Sequence, residues 1–166
     1  MPINQRFLVV KTKDSKEITY MENMKRLLSY TRRGIDDYNM IEEGDKIAVG
    51  ISGGKDSLTL LQPMAERSRI FKPSISIVAA HVTMVNIPYK TNTDFLQEFC
   101  DSLGVGLHII ESSFDASTDK RKSPCFLCSW NRRKALFTVA QEQGCNKIAL
   151  GHHMDDILET LLMNLT

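Results

Sequence analysis

The chain has 166 residues, about the length of one domain. Charged residues make up 25% and hydrophobic ones 42%, the balance of a folded chain rather than a disordered one. With 21 Lys and Arg against 20 Asp and Glu the net charge is +1, which excludes a globally basic nucleic-acid binder but leaves room for a local patch.

Residues 1–20 are expected to be an N-terminal extension, either a hairpin of FLVV and EITYM around KTKDSK or a poorly ordered arm. FLVV is too short for a signal segment, and no stretch reaches the roughly 18 apolar residues of a membrane span. No membrane association is expected. Four cysteines without a secretory signal point to a reducing compartment, the cytoplasm. From Met21 to about residue 40, apolar residues at Met21, Met24, Leu27, Leu28, Ile35 and Tyr38 fit a helix face. Gly44-Asp45 closes it in a turn.

The period then changes. KIAVGIS (46–52), SISIVAAHV (74–82), Leu107–Glu111 and KIALG (147–151) read as short buried strands. Helices are expected at about 56–70, 92–103, 128–143 and 155–165, with Gly104 and Gly144 as stops. Strands alternating with such helices imply an α/β fold with a doubly wound parallel sheet of four to five strands and helices on both faces. In such sheets ligands bind beyond the carboxyl ends of the strands. Two motifs fall at that edge, SGGKDS (52–57) and GHHMDD (151–156).

Ser52-Gly53-Gly54-Lys55-Asp56-Ser57 joins a strand to a helix. Its glycines let the backbone turn tightly around an anion, the helix amides carry partial positive charge, and Lys55 adds a full one. Ser52 and Ser57 offer hydroxyls. The loop fails the Walker A pattern, because Asp56 follows Lys55 and Val49 stands at the first glycine position. It also lacks the G-x-G-x-x-G of dinucleotide sites.

Cys125 and Cys128 form a C-x-x-C at the start of a helix, where thiolates that bind metal or exchange disulfides are favoured. Two thiols are short of a structural zinc site or a cluster. Cys100 and Cys145 read as small buried hydrophobes. From Asp115 to Lys134 there are six basic and two acidic residues, a local charge of +4. Lys120, Arg121, Lys122, Arg132, Arg133 and Lys134 therefore form either a polyanion site or a solvated basic face. Asp155 and Asp156 stand where they could cap a helix or, for Asp156, hold Mg2+.

DYNMIEEGDKIAVGISGGKDSLTLL (37–61), PCFLCSWNRRKALF (124–137) and KIALGHHMDDILETLLMNL (147–165) together resemble the TtcA-type tRNA 2-thiocytidine synthetases, members of the PP-loop ATP pyrophosphatases. The resemblance covers residues 25–166, and residues 21–166 are expected to be the PP-loop ATP-binding domain. It implies an adenine nucleotide α-hydrolase-like, Rossmann-related fold. It also implies an ATP-dependent tRNA sulfurtransferase, which adenylates the C2 oxygen of an anticodon-loop cytidine and replaces it with sulfur. Ser52 through Ser57 match the ATP loop, with Lys55 and Asp56 catalytic; His81 falls near the expected adenosine and Gly151 near the nucleotide. Cys125 and Cys128 match two of the three cysteines that hold a [4Fe-4S] cluster. The implied partners are tRNA, a sulfur donor such as a cysteine desulfurase, and a second copy in a homodimer. Family chains continue further, to another strand and the third cluster cysteine, so a C-terminal part is expected to be missing here. The competing readings are a PP-loop pyrophosphatase acting on a small substrate, and a non-enzymatic nucleotide- or zinc-binding remnant.

Overall fold

The computed structural model describes residues 15–70, 72–115, 117 and 123–165, the side chains of 15–21 and 164 excepted. Among these, five helices and four strands follow the order α1 (Ser15–Asp37), β1 (Lys46–Gly50), α2 (Lys55–Ser68), β2 (Ser76–Met84), α3 (Thr93–Leu103), β3 (Gly106–Ser112), α4 (Pro124–Glu142), β4 (Lys147–Leu150) and α5 (Met154–Leu165). No helix among the described residues is long and apolar enough to cross a membrane.

The chain divides into two compact units, Met1–Tyr38 and Asn39–Thr166. In the first, α1 begins at Ser15, six residues before the expected helix, so Ser15–Tyr20 belong to it rather than to a hairpin. The β-favouring Ile18, Thr19 and Tyr20 are outvoted by the helix that follows them. Residues 1–14 lie outside the described residues. The helix ends on two exposed i,i+4 ion pairs, Arg32–Asp36 and Arg33–Asp37.

The second unit is built on one sheet in the order β3-β2-β1-β4, with every neighbouring pair parallel. Ile47 stands opposite Ile77 on one side and Lys147 on the other, so β1 is central. Its Ala48 and Val49 are fully buried, as a strand covered on both faces requires. Right-handed crossovers carry the chain outward from β1 to β3, then back across to β4. That reversal puts α2 and α3 on one face and α4 on the other. Ala80, Val82 and Met84 of β2 form a buried cluster with Leu136 and Val139 of α4. The intervening Ala79 and His81 point to the opposite face. Because β1 and β4 are reached in opposite directions, their carboxyl ends flank the switch point of the sheet.

At the other end of the sheet a polar cluster pins β1 to β4. The buried Asp45 carboxylate lies 2.7 Å from Lys147 Nζ and accepts the amide of Glu42 and the Nδ2 of Asn146. Asn146 Oδ1 accepts the Lys46 amide, and Lys147 also donates to the Met40 carbonyl. The Lys147 ammonium and the Glu42 amide hold the Asp45 carboxyl down at about 2, from an ordinary 3.8. A depressed carboxylate pKa stabilises the fold above its unfolded value and loses that contribution as pH falls towards the folded one. Asp45→Asn should therefore lower the melting temperature at pH 7 and flatten its decline between about pH 4 and 2. Thermal melts across that range decide the point, and parallel curves for variant and parent would show that Asp45 carries no such linkage.

Candidate active site

The loop after β1 is fixed by its own serines. Ser57, buried on the first turn of α2, donates its hydroxyl to the Gly54 carbonyl at 2.9 Å and accepts the Ser52 amide at 3.1 Å. Its proton being committed, the 3.2 Å contact between the two hydroxyls has Ser52 as donor, and Ser52 Oγ in turn accepts the Gly54 amide. Both hydroxyls thus shape the loop, and both residues line the cleft beside it. Gly53 sits at φ +87°, and a Cβ there would fall 2.6 Å from Thr91 Cγ2, so only glycine fits.

This geometry leaves the start of α2 open. Its N-cap is Gly54, with no side-chain cap, whereas α3 and α4 are capped by Asn92 and Ser123. The first intrahelical bond runs from Leu58 to Gly54. The amides of Lys55, Asp56 and Ser57 are orphan donors at the positive end of the helix, without an acceptor among the described residues. Lys55 and Asp56 project into solvent beside them, neither ion-paired to a described residue. Three convergent N–H groups with a lysine make an anion site of phosphate dimensions.

Gly151, at the end of β4, abuts this turn. A Cβ on it would lie 2.8 Å from Ser57 Cα and 2.9 Å from the Asp56 carbonyl carbon and oxygen. The close approach that Gly151 permits is therefore to the α2 backbone. Gly151 also lines the cleft, so it holds the loop and borders the site at once.

A cleft of about 440 Å³ opens at the switch point, within the size range of small-ligand sites. Ser52, Gly54, Asp56, Ser57, Gly151 and Asp156 contribute one wall. His81 lines it too, buried, with Nδ1 2.8 Å from the Ile51 carbonyl. That bond makes Nδ1 the protonated nitrogen and leaves Nε2 as an acceptor. Asp156 Oδ2 accepts the His153 amide at 2.8 Å, capping α5, and its Oδ1 lies 3.9 Å from His153 Nε2.

Arg132 and Arg133 also line the cleft, with Ser129 and Leu136. Sequence reasoning grouped them with Lys134 as one basic segment; the helix separates them, because one residue is a turn of about 100°. Thr83, near the carboxyl end of β2, and Tyr89 and Thr91, after it, line the cleft as well, with no motif to mark them. The only local signal for them was position at or beyond a strand's carboxyl end. Lys120, Arg121 and Lys122 lie outside the described residues.

Cys125 and Cys128 stand on the first turns of α4, which starts at Pro124 rather than at residue 128 because Ser123 caps it and proline fits its first position. Cys125 is exposed, while Cys128 packs partly against the β2–α4 cluster. Cys100 is fully buried, and burial pushes its thiol up to about 11; burial raises Cys145 as well. Neither supplies a ready thiolate. Iodoacetamide on the native protein should accordingly modify Cys125 well before Cys100. Peptide mass spectrometry reads the order, and early labelling of Cys100 would show that α3 opens easily. Two thiols fall short of the three or four that a [4Fe-4S] cluster needs, and no group of three metal-binding side chains occurs among the described residues. The residues present do not by themselves make a cluster site.

A parallel α/β sheet with an uncapped helix start, a lysine and a constrained Ser-Gly-Gly turn at its switch point defines a nucleotide-phosphate-binding protein. The chain belongs to the PP-loop domain family, whose model matches residues 18–166. It is 42% identical over 146 residues to the tRNA-cytidine(32) 2-sulfurtransferase of Delftia acidovorans, covering 85% of this chain and 46% of that one. It is 39% identical over 158 residues to the enzyme of the same name from Marinomonas, covering 93% and 56%. The solved U34-tRNA thiolase NcsA of Methanococcus maripaludis, with its [4Fe-4S] cluster, superposes at a TM-score of 0.69 with 28% identity, over 89% of this chain and 50% of that one. The chain spans about half the length of the curated relatives it matches.

Proposed function

We propose that the chain is the ATP-handling part of a tRNA sulfurtransferase that converts an anticodon-loop cytidine to 2-thiocytidine in the cytoplasm. The observation that carries the reading is the uncapped α2 start, whose Asp56 and Ser57 line the cleft at the switch point, with Lys55 exposed on the same turn. The relatives' names supply the substrate class.

The triphosphate would lie against the amides of Lys55, Asp56 and Ser57, with Lys55 offsetting its charge and the adenosine reaching His81. His81 Nε2, as an acceptor, suits the adenine amino group or a ribose hydroxyl. Asp56 and Asp156 would hold Mg2+, which supplies charge neutralisation at the phosphates. The cytidine C2 oxygen attacks the α-phosphorus; the bond to the β-phosphate oxygen breaks and pyrophosphate leaves. Hydrosulfide, released from the persulfide of a donor such as a cysteine desulfurase by two thiols that are oxidised to a disulfide, then attacks C2. The C2–O bond breaks, and AMP departs with the oxygen. Lys55 and the helix amides meet the negative charge that grows on the phosphates in the first step. Cys125 and Cys128 stand on α4 at the same end of the sheet and supply two thiols of a sulfur-handling site completed by donors outside the described residues.

Product analysis tests the reading. With unmodified tRNA, radiolabelled ATP should yield AMP and pyrophosphate in a tRNA-dependent reaction. ADP and orthophosphate, or turnover indifferent to RNA, would contradict it and favour an ATP-cleaving enzyme of a small substrate.

A further inference from the structure

One flank of α4 carries two large aromatic rings that neither the core nor the cleft uses. A helix that packs one face against a sheet ordinarily turns polar on the other. Here Leu136, Val139 and Ala140 are buried, yet Trp130 and Phe137 stand 57% and 58% exposed. Seven residues apart, the two rings project from the same flank, about 10 Å from one another along the axis. Arg133 and Lys134 are exposed between them and make no ion pair with a described residue. The one acidic residue of the helix, Glu142, is at its far end.

Exposed rings at intervals, cations between them and no carboxylate nearby suit a flexible polyanion whose monomers carry flat aromatic faces. Bases stack on the rings and phosphates meet the cations. An apolar protein partner would gain nothing from burying Arg133 and Lys134 unpaired. Arg133 also lines the nucleotide cleft, so a strand on this flank runs to the mouth of the site.

We propose that the Trp130–Phe137 flank of α4 binds single-stranded RNA, the loop segment of the substrate, with Trp130 and Phe137 stacking bases and Lys134 holding phosphate. This rests on the RNA substrate of the preceding reading. Trp130 is the single tryptophan of the chain, so its emission reports on the surface directly.

The experiment is a fluorescence titration of the chain with a single-stranded oligoribonucleotide, with filter binding in parallel. Saturable quenching of Trp130 is expected. Phe137→Ala should weaken the RNA affinity about five- to a hundredfold at unchanged circular dichroism. Lys134→Ala should lower the salt slope of binding by about 0.7. RNA retained on the filter with Trp130 emission unmoved would overturn this surface and leave the RNA reading standing. No retention at all would overturn both, while ATP binding is measured separately. Emission that shifts with protein concentration in the absence of RNA would identify a second copy as the occupant and overturn the proposal.

Discussion

Replacing Lys55 with alanine is expected to weaken ATP binding roughly ten- to a hundredfold. A hydrogen bond to a charged group contributes about 1.5–3 kcal/mol, and each 1.4 kcal/mol is a factor of ten in affinity. Lys55 stands at the first position of α2, exposed and unpaired with any described residue, so its removal leaves no buried charge behind. Stability should stay within about 0.5 kcal/mol of the parent. Calorimetric titration with ATP measures the loss. An affinity equal to the parent's would remove Lys55 from the phosphate site, leaving the α2 amides alone to hold the anion.

Gly151→Val should be more damaging still, for a reason unrelated to charge. Any side chain at 151 begins 2.8–2.9 Å from the Ser57 and Asp56 backbone. Backbone cannot rotate out of the way as a side chain can, so β4 and the α2 start must separate by a good fraction of an ångström. Overpacking of this kind costs about 1–3 kcal/mol of stability. The larger effect falls on the site, where a displacement of about 1 Å costs on the order of a hundredfold. Gly106→Ala, with open space at its Cβ, is the control and should bind ATP like the parent. Nucleotide affinity and melting temperature measured together separate the two effects. A Gly151→Val protein that binds ATP normally would mean that the turn accommodates a side chain the geometry forbids.

Much of this architecture is legible in the sequence. The four β-branched runs, the Gly104 and Gly144 stops and the SGGKDS turn each announce themselves locally, and each stands within a few residues of its expected place. Helix starts were the weaker part. At α4 the apolar pattern points to Cys128, but Ser123 and Pro124 set the cap four residues earlier and bring both cysteines inside the helix. At α1 the β-favouring triplet Ile18-Thr19-Tyr20 masked a helix that runs from Ser15.

What the sequence withheld is what depends on distant contacts. Nothing near Gly151 says that its neighbour is the backbone of Asp56, about a hundred residues away. Nothing near Arg132 says that it lines the same cleft as the loop after β1, and spacing alone could not split it from Lys134. Ser52 and Ser57 look like ligand donors because hydroxyls beside a Gly-Gly turn can serve either purpose. The hydrogen bonds between them and Gly54, which hold the turn, depend on the folded loop and are not readable from the sequence.

The claim on which the rest depends is that the amides at the start of α2 receive the nucleotide's phosphates. Amide-resolved NMR of the isotope-labelled chain titrated with ATP observes those groups themselves. The account predicts that the largest saturable shifts fall on Lys55, Asp56 and Ser57, with smaller ones at Gly53 and Gly151, and that pyrophosphate reproduces the first set. Shifts concentrated elsewhere, or none at these three amides at saturating ATP, would contradict it.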